Sequence, residues 1–374
     1  MAGIYLHIPF CRKACHYCNF HFSTSLNRKG EMVAALLDEL ELRRDYLRGA
    51  PLRSVYLGGG TPSLLDTGEL VAIFEKIAAL HTALPDAEIT IEANPDDLDE
   101  ITLREWRDYT PVNRISIGIQ SFFDDELTWM NRSHNARQSV RAVEDARKAG
   151  FDNLTIDLIY GLPISGDERW AANLEQVKAL DPPHLSCYSL TVEERTALAH
   201  FVQTGRSPAV DEEAAARQFE MLMDFAAAHD YEHYEISNFA RPGRRAVHNS
   251  AYWQGLPYLG IGPSAHSFDG RIRQHNAAHN ARYIAAIAQG QIPAKTETLN
   301  DNQRYNESVM TGLRLIEGFD TNALDPERAA CFLRQVAPWV ASGHVWEREG
   351  RYALTRSGKL LADRITADLF ASAE

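Results

Sequence analysis

Residues 5–22, Tyr5-Leu-His-Ile-Pro-Phe-Cys11-Arg-Lys-Ala-Cys15-His-Tyr-Cys18-Asn-Phe-His-Phe22, hold three of the five cysteines in the chain. Tyr5 to Ile8 reads as a strand and Pro9 ends it, so the three thiols are expected together on one loop at that strand's end. The spacing C-x3-C-x2-C offers three thiolates to an iron–sulfur cluster and leaves the fourth iron open. An open iron can take the amine and carboxylate of an amino-acid head group. Two rival readings stand beside this one. His21 would complete a Cys3His zinc set, although structural zinc sites usually show paired C-x2-C knuckles. A disulfide would leave one thiol over and would need an oxidising compartment. Cys187 and Cys331 are isolated in apolar surroundings and read as small core residues.

Outward from this loop the chain alternates strand and helix. Lys29 to Arg48 reads as an amphipathic helix, with Met32, Leu36, Leu40 and Leu47 inward and Glu39, Glu41, Arg43 and Arg44 on a solvated face. Further strands are expected at Ser54–Leu57, Ala87–Glu92, Arg114–Gly118, Asn153–Ile159 and His184–Leu190, with helices between them. With Tyr5–Ile8 this makes six βα units, the pattern of parallel strands covered by helices. Such folds place their chemistry at the C-terminal ends of strands. Gly58-Gly-Gly60-Thr61 ends the second strand and either forms a bare tight turn or lets the backbone pass close to a ligand. Glu92 closes the third strand, Gln120 and Ser121 follow the fourth, and Asp157 lies near the end of the fifth. Asn94 and Ser121 read as turn or cap formers.

A chain of 374 residues, 45% hydrophobic, can bury one large core and a smaller one. With Lys+Arg 38 against Asp+Glu 51 the formal charge is −13, which disfavours a nucleic-acid-binding surface. No run approaches the ~20 apolar residues of a spanning helix, and no signal-peptide pattern precedes the first strand. A cytoplasmic protein, at most peripheral to a membrane, is expected. After Tyr234–Phe239, a further strand, come His248-Asn249-Ser-Ala-Tyr252-Trp253 and a Gly-rich stretch to Phe268. From about Asn300, helices at 304–315 and 326–342, a hairpin at 345–355 turning on Glu349-Gly350, and a last helix capped by Ser357 resemble a winged-helix module. These signals divide the chain into 1–240, a connecting segment 241–299, and a C-terminal domain 300–374.

The cysteine loop after a first strand resembles the signature of the radical S-adenosylmethionine (SAM) superfamily. Tyr5-x-His-Ile-Pro-Phe-Cys11 resembles, more narrowly, the oxygen-independent coproporphyrinogen III oxidase group, and the likeness runs along nearly the whole chain. It implies an α/β fold, an incomplete (β/α)6 barrel with a small C-terminal domain, and a [4Fe-4S] cluster on Cys11, Cys15 and Cys18 that cleaves SAM to a 5′-deoxyadenosyl radical. Matched to that group's motifs, Tyr5, Gly59, Gly60, Thr61, Glu92, Gln120, Arg132 and Asp157 fall where SAM contacts are expected. Glu92 and Asp157 would take hydroxyl or ammonium groups, and Arg132 the carboxylate.

Two functions divide the group. The oxidase decarboxylates coproporphyrinogen III, and its pattern adds a further cysteine, C-x3-C-x2-C-x-C, where this chain has Phe20. It also carries an N-terminal cover for which Met1 to Gly3 is expected to leave no room. The haem chaperone branch carries H-N-x-x-Y-W, matched here by His248, Asn249, Tyr252 and Trp253. There an imidazole could ligate haem iron beside an aromatic wall; the alternative is a satisfied interior histidine. His266 and His275 are the fallback ligands. The resemblance therefore implies haem as cargo, recipient haem proteins that include membrane ones, and no nucleic acid, with a homodimer left open. The complete ring of SAM-contact positions argues against a scaffold that keeps its cluster for structure alone.

Overall fold

The structure is a computed structural model, described here for residues 1–371. Seven parallel strands form its centre. They are β1 (Ala2–Ile8), β2 (Leu52–Gly59), β3 (Ala83–Ala93), β4 (Arg114–Gln120), β5 (Leu154–Tyr160), β6 (His184–Ser189) and, on the far side of β1, a later strand Tyr258–Ile261. Helices α1 (Lys29–Leu42), α2 (Thr67–Leu80), α3 (Glu100–Tyr109), α4 (Asp124–Trp129), α5 (Ala136–Lys148) and α6 (Asp167–Leu180) connect the first six. After α7 (Ala197–Gln203) and α8 (Glu212–Ala228), antiparallel strands β7 (Glu232–Glu235) and β8 (Asn238–Ala240) extend the β6 edge.

Residues 241–299 also belong to this sheet. They form α9 (Val247–Trp253), β9 (Tyr258–Ile261), β10 (His266–Phe268), β11 (Ile272–Asn276), α10 (Asn280–Ile287) and β12 (Ala294–Thr298). The whole sheet runs β12-β11-β10-β9-β1-β2-β3-β4-β5-β6-β8-β7. Its end strands do not pair among the described residues, so the barrel stays incomplete.

Strand alternation explains what faces where. Ile4, Leu6, Val55, Leu57, Ile91, Ile115, Ile117, Leu154, Ile156, Leu158 and Leu185 are buried in one hydrophobic core. The intervening positions are polar: Tyr56 on β2, Glu92 on β3, Arg114 and Ser116 on β4, Thr155 and Asp157 on β5, and Ser186 on β6. All of them line the barrel cavity.

Helix α1 differs from the sequence reading. It ends at Leu42, and two charges of the expected solvated face are buried: Glu39 fully, and Arg43, just past the helix end, nearly so. Glu39 takes hydrogen bonds from the Tyr283 hydroxyl (2.6 Å), Asn276 Nδ2 (2.8 Å) and the Gly262 amide (2.7 Å). Arg43 reaches Gln274 and the Gly260 carbonyl. A helical charge run reads as solvent-facing until a later segment covers it, and β9–β11 with α10 do so here.

The C-terminal part has its own core, including Val309, Leu313, Phe319, Phe332, Val336 and Ile365. Helix α11 (Asp301–Arg314), β13 (Phe319–Asp320), α12 (Pro326–Ala341), β14 (Val345–Arg348), β15 (Arg351–Leu354), α13 (Arg356–Lys359) and α14 (Ala362–Asp368) build it around a three-stranded sheet. Glu349 and Gly350 both have positive φ, the twist a two-residue hairpin needs. The cap of α13 is Thr355, not Ser357: its hydroxyl accepts the Gly358 amide. Among the described residues no helix is long and apolar enough to cross a membrane.

Candidate functional site

The cysteine loop is tied shut at its base. Phe10 is buried, Cys11 N–H donates to the Ser23 carbonyl (3.1 Å), and Ser23 N–H donates to the Pro9 carbonyl (2.9 Å). Residues after α4 fasten the far side: Asn131 Nδ2 donates to the Ala14 carbonyl (2.8 Å), and His16 N–H to the Met130 carbonyl (3.1 Å). The glycine strand end braces the near side. Gly60 N–H donates to the Ile8 carbonyl (2.9 Å), and a Cβ there would lie 2.5 Å from that oxygen and 2.6 Å from the Phe10 carbonyl. Glycine is required because the backbone passes this close.

Cys11, Cys15 and Cys18 are free and half-buried, and all three line a cavity of about 470 Å³ at the barrel mouth. Burial pushes the Cys11 thiol up to about 11, with the other two thiols adding to it, and burial raises Cys18 as well. Thiols so placed stay protonated until a metal takes the proton's place. Among the described residues no three ligating groups gather around a single-ion position, and His21 Nε2 is engaged by Asn280 Oδ1 (2.7 Å). Three separated thiols on one wall fit the corners of an iron–sulfur cube better than one zinc ion. Cys187 is buried elsewhere in the core, as its sequence context indicated; Cys331 is only half-buried.

Gly59, Gly60, Thr61, Glu92, Gln120, Arg132 and Asp157 line the same cavity. Glu92 accepts the Tyr56 hydroxyl (2.7 Å) and the Gly59 amide (3.1 Å); burial lifts its carboxyl to about 7. Asp157 accepts the Ser116 hydroxyl at 3.3 Å and is lifted to about 6, again chiefly by burial. Two carboxyls whose ionisation is opposed by burial suit a cationic or hydroxylated ligand, which would offset the buried charge. Gln120 holds a left-handed φ of 68°, a strained backbone beside the cavity.

Two residues take roles other than those expected. Arg132 does not offer a free fork to a carboxylate. Its Nη2 donates to Asn94 Oδ1 (2.6 Å) and the Gly118 carbonyl (2.7 Å), and its Nη1 lies 3.3 Å from Cys15 Sγ. Only the buried Nε lacks a partner, so its charge is aimed at the thiol end. Asn94, read as a turn former, is the residue that positions it. Tyr5 faces the neighbouring cavity, its hydroxyl 3.2 Å from His7 Nδ1 and its ring stacked with Tyr56. Ser121 is structural as expected, bonded to Glu126.

The second cavity, about 1430 Å³, opens between the barrel mouth, α9, β10 and α11. Asn249, Tyr252 and Trp253 line it, and Asn249 borders the thiol cavity too. His248 does not line either cavity. It is 2% exposed, with Nδ1 2.8 Å from Ser54 Oγ and Nε2 3.0 Å from the Tyr252 hydroxyl, and burial lowers its pKa to about 3. Both ring nitrogens are engaged inside the fold, which is the geometry of a satisfied interior histidine and not of an open ligand.

Residues 5–177 match the radical SAM superfamily. Proteins named heme chaperone HemW match nearly end to end. That of Bacillus subtilis is 32% identical over 98% of this chain and 98% of its own, and that of Escherichia coli 32% over 97% and 96%. The chain belongs to the HemW family of radical SAM proteins. Coproporphyrinogen III oxidase (HemN) from Escherichia coli shares the fold, with TM-score 0.85 at 24% identity over 99% of this chain and 90% of that one. Membership of the superfamily implies SAM and a [4Fe-4S] cluster, and the thiol cavity has the donor set for them. The cavity-lining residues that sequence reasoning missed are Tyr56, Arg114, Ser116, Thr155 and Ser186. Their signal was available, a polar residue at every second position of apolar strands.

Proposed function

We propose that this protein binds haem in the wide cavity and passes it to haem proteins, membrane-bound recipients among them. In this reading Cys11, Cys15 and Cys18 carry a [4Fe-4S] cluster whose fourth iron takes SAM. Gly59, Gly60, Thr61, Glu92, Gln120 and Asp157 face the SAM, and Arg132 offsets charge at the thiol end. The observation that carries the reading is the wide cavity itself, larger than the ~300–1,000 Å³ of ordinary small-ligand sites and lined by Tyr252, Trp253 and Phe268 beside the cluster loop. Flat aromatic walls with polar edges suit a porphyrin. End-to-end likeness to proteins named heme chaperone supports it.

Phe20, 67% exposed, borders both cavities where the oxidase pattern has a cysteine. Decarboxylation of coproporphyrinogen III is therefore not expected. The test is an anaerobic titration of cluster-loaded protein with haemin, alongside incubation with SAM, a reductant and coproporphyrinogen III. Retained haem with no protoporphyrinogen IX is the expected result. Absence of haem binding, or oxidase turnover, would overturn it.

A further inference from the structure

The wide cavity needs an iron ligand, and the structure assigns that role to His266; this inference rests on the haem reading above. Three histidines line the cavity: His7, His21 and His266. His7 is 5% exposed, with Nδ1 3.2 Å from the Tyr5 hydroxyl and Nε2 2.7 Å from the His21 carbonyl. His21 uses Nε2 on Asn280. His266 is exposed, and its ring nitrogens have no hydrogen-bond partner among the described residues. Of the three cavity histidines it is the exposed one and the one with neither ring nitrogen engaged among the described residues; His21, half-buried, has only Nδ1 free once Nε2 donates to Asn280 Oδ1.

The backbone presents this ring rigidly. Ser267 is buried on β10, where its hydroxyl accepts the Gly260 amide (2.9 Å) and lies 3.3 Å from the Gly260 carbonyl. A Cβ at Gly260 would stand 1.9 Å from the His266 carbonyl oxygen, so only glycine lets the two strands lie this close. Because side chains alternate along a strand, fixing Ser267 inward turns His266 and Phe268 to the other face, and both line the cavity. Phe268 would then offer the porphyrin an apolar contact next to its ligand. On β11, the cross-strand neighbour of His266 is His275, whose ring stacks on it at 5.5 Å between centroids. Partial burial, and then His275 and Arg273, lower the His266 pKa, which keeps the imidazole neutral and its lone pair free near pH 7. A ligand on an exposed strand at the cavity's rim suits a cargo that has to leave.

The test compares wild-type, His266→Ala and His275→Ala proteins, each loaded with its iron–sulfur cluster, in difference spectra during anaerobic haemin titration. His266→Ala is expected to shift the Soret band and weaken haem at least roughly tenfold, with added imidazole restoring the wild-type band. His275→Ala is expected to keep the wild-type band. Iron content unchanged in both variants shows that the fold and cluster survive. A His266→Ala protein with the wild-type Soret position and affinity overturns the assignment while leaving the haem reading intact, and so does a lost band that imidazole does not restore. Wild-type protein that retains no haem overturns the haem reading and this inference with it.

Discussion

At the scale of single residues, His248 shows why a motif names a position and not a role. Its spacing to Asn249, Tyr252 and Trp253 is plain in the sequence. Whether its nitrogens face a ligand or Ser54 depends on a strand nearly two hundred residues earlier. His248→Ala should therefore act on stability, by about 2–4 kcal/mol from a buried cavity and two lost hydrogen bonds. A lower denaturation midpoint with an unchanged haem spectrum is the expected outcome; a changed spectrum at unchanged stability would restore the ligand reading. Glu92 and Asp157 make a pH-dependent prediction. Burial raises both pKa values, to about 7 and about 6, so the stability of the neutral forms is full at low pH and is lost as pH rises through that range. In cofactor-free protein, melting temperature should fall from pH 5 to pH 8 more steeply for wild type than for Glu92→Gln. Parallel curves would show that Glu92 does not titrate there.

At the scale of elements, the six βα units and the cysteine loop were legible because each is written in local pattern: alternation, a strand-ending proline, a glycine run. Helix α1 was only half legible. Its apolar stripe was clear, but the burial of Glu39 and Arg43 depends on strands more than two hundred positions away. Helix α9 is similar: Glu88 on β3 accepts the Val247 (3.0 Å) and His248 (2.9 Å) amides, so a buried carboxylate midway along a barrel strand fixes where the motif begins. The contact between the glycine strand end and the cysteine loop can be tested directly. Gly60→Ala would press a methyl into the Ile8 and Phe10 backbone, and reconstituted protein should hold clearly less iron per chain than wild type. Gly30→Ala meets nothing within 4 Å in α1 and should keep full iron and gain up to about 1 kcal/mol of stability. Equal iron in both variants would mean the loop tolerates displacement.

At the scale of the whole molecule, two cores meet across a polar seam that no local pattern announces. Buried Glu235 on β7 accepts Arg314 of α11 at 2.7 Å (Nε) and 2.5 Å (Nη2), and the same guanidinium stands 4.9 Å over the Trp253 ring. Ile316 N–H donates to the Tyr234 carbonyl (3.0 Å), and Lys359 lies 2.9 Å from His233. Arg314 thus joins the barrel, the end of the α9 motif and the C-terminal core at one wall of the wide cavity. Removing it leaves buried Glu235 with hydrogen bonds from the Ser237 amide and Asn238 Nδ2 among the described residues, and with the Lys359 charge near it. Breaking a buried pair costs roughly 3–5 kcal/mol, and the low end applies because Arg314 is 23% exposed. Arg314→Ala should therefore loosen the seam and not the cluster. Hydrogen exchange should quicken across α11 and β7–β8 while iron content stays at the wild-type value, and bound haem should leave faster because one wall of its cavity moves. Arg314→Lys, which keeps the charge but loses the two-pronged contact and the flat stacking on Trp253, should fall between the two. Exchange unchanged in Arg314→Ala would mean that the apolar contacts around Ile236, which touches both cores, hold the two parts together without the ion pair.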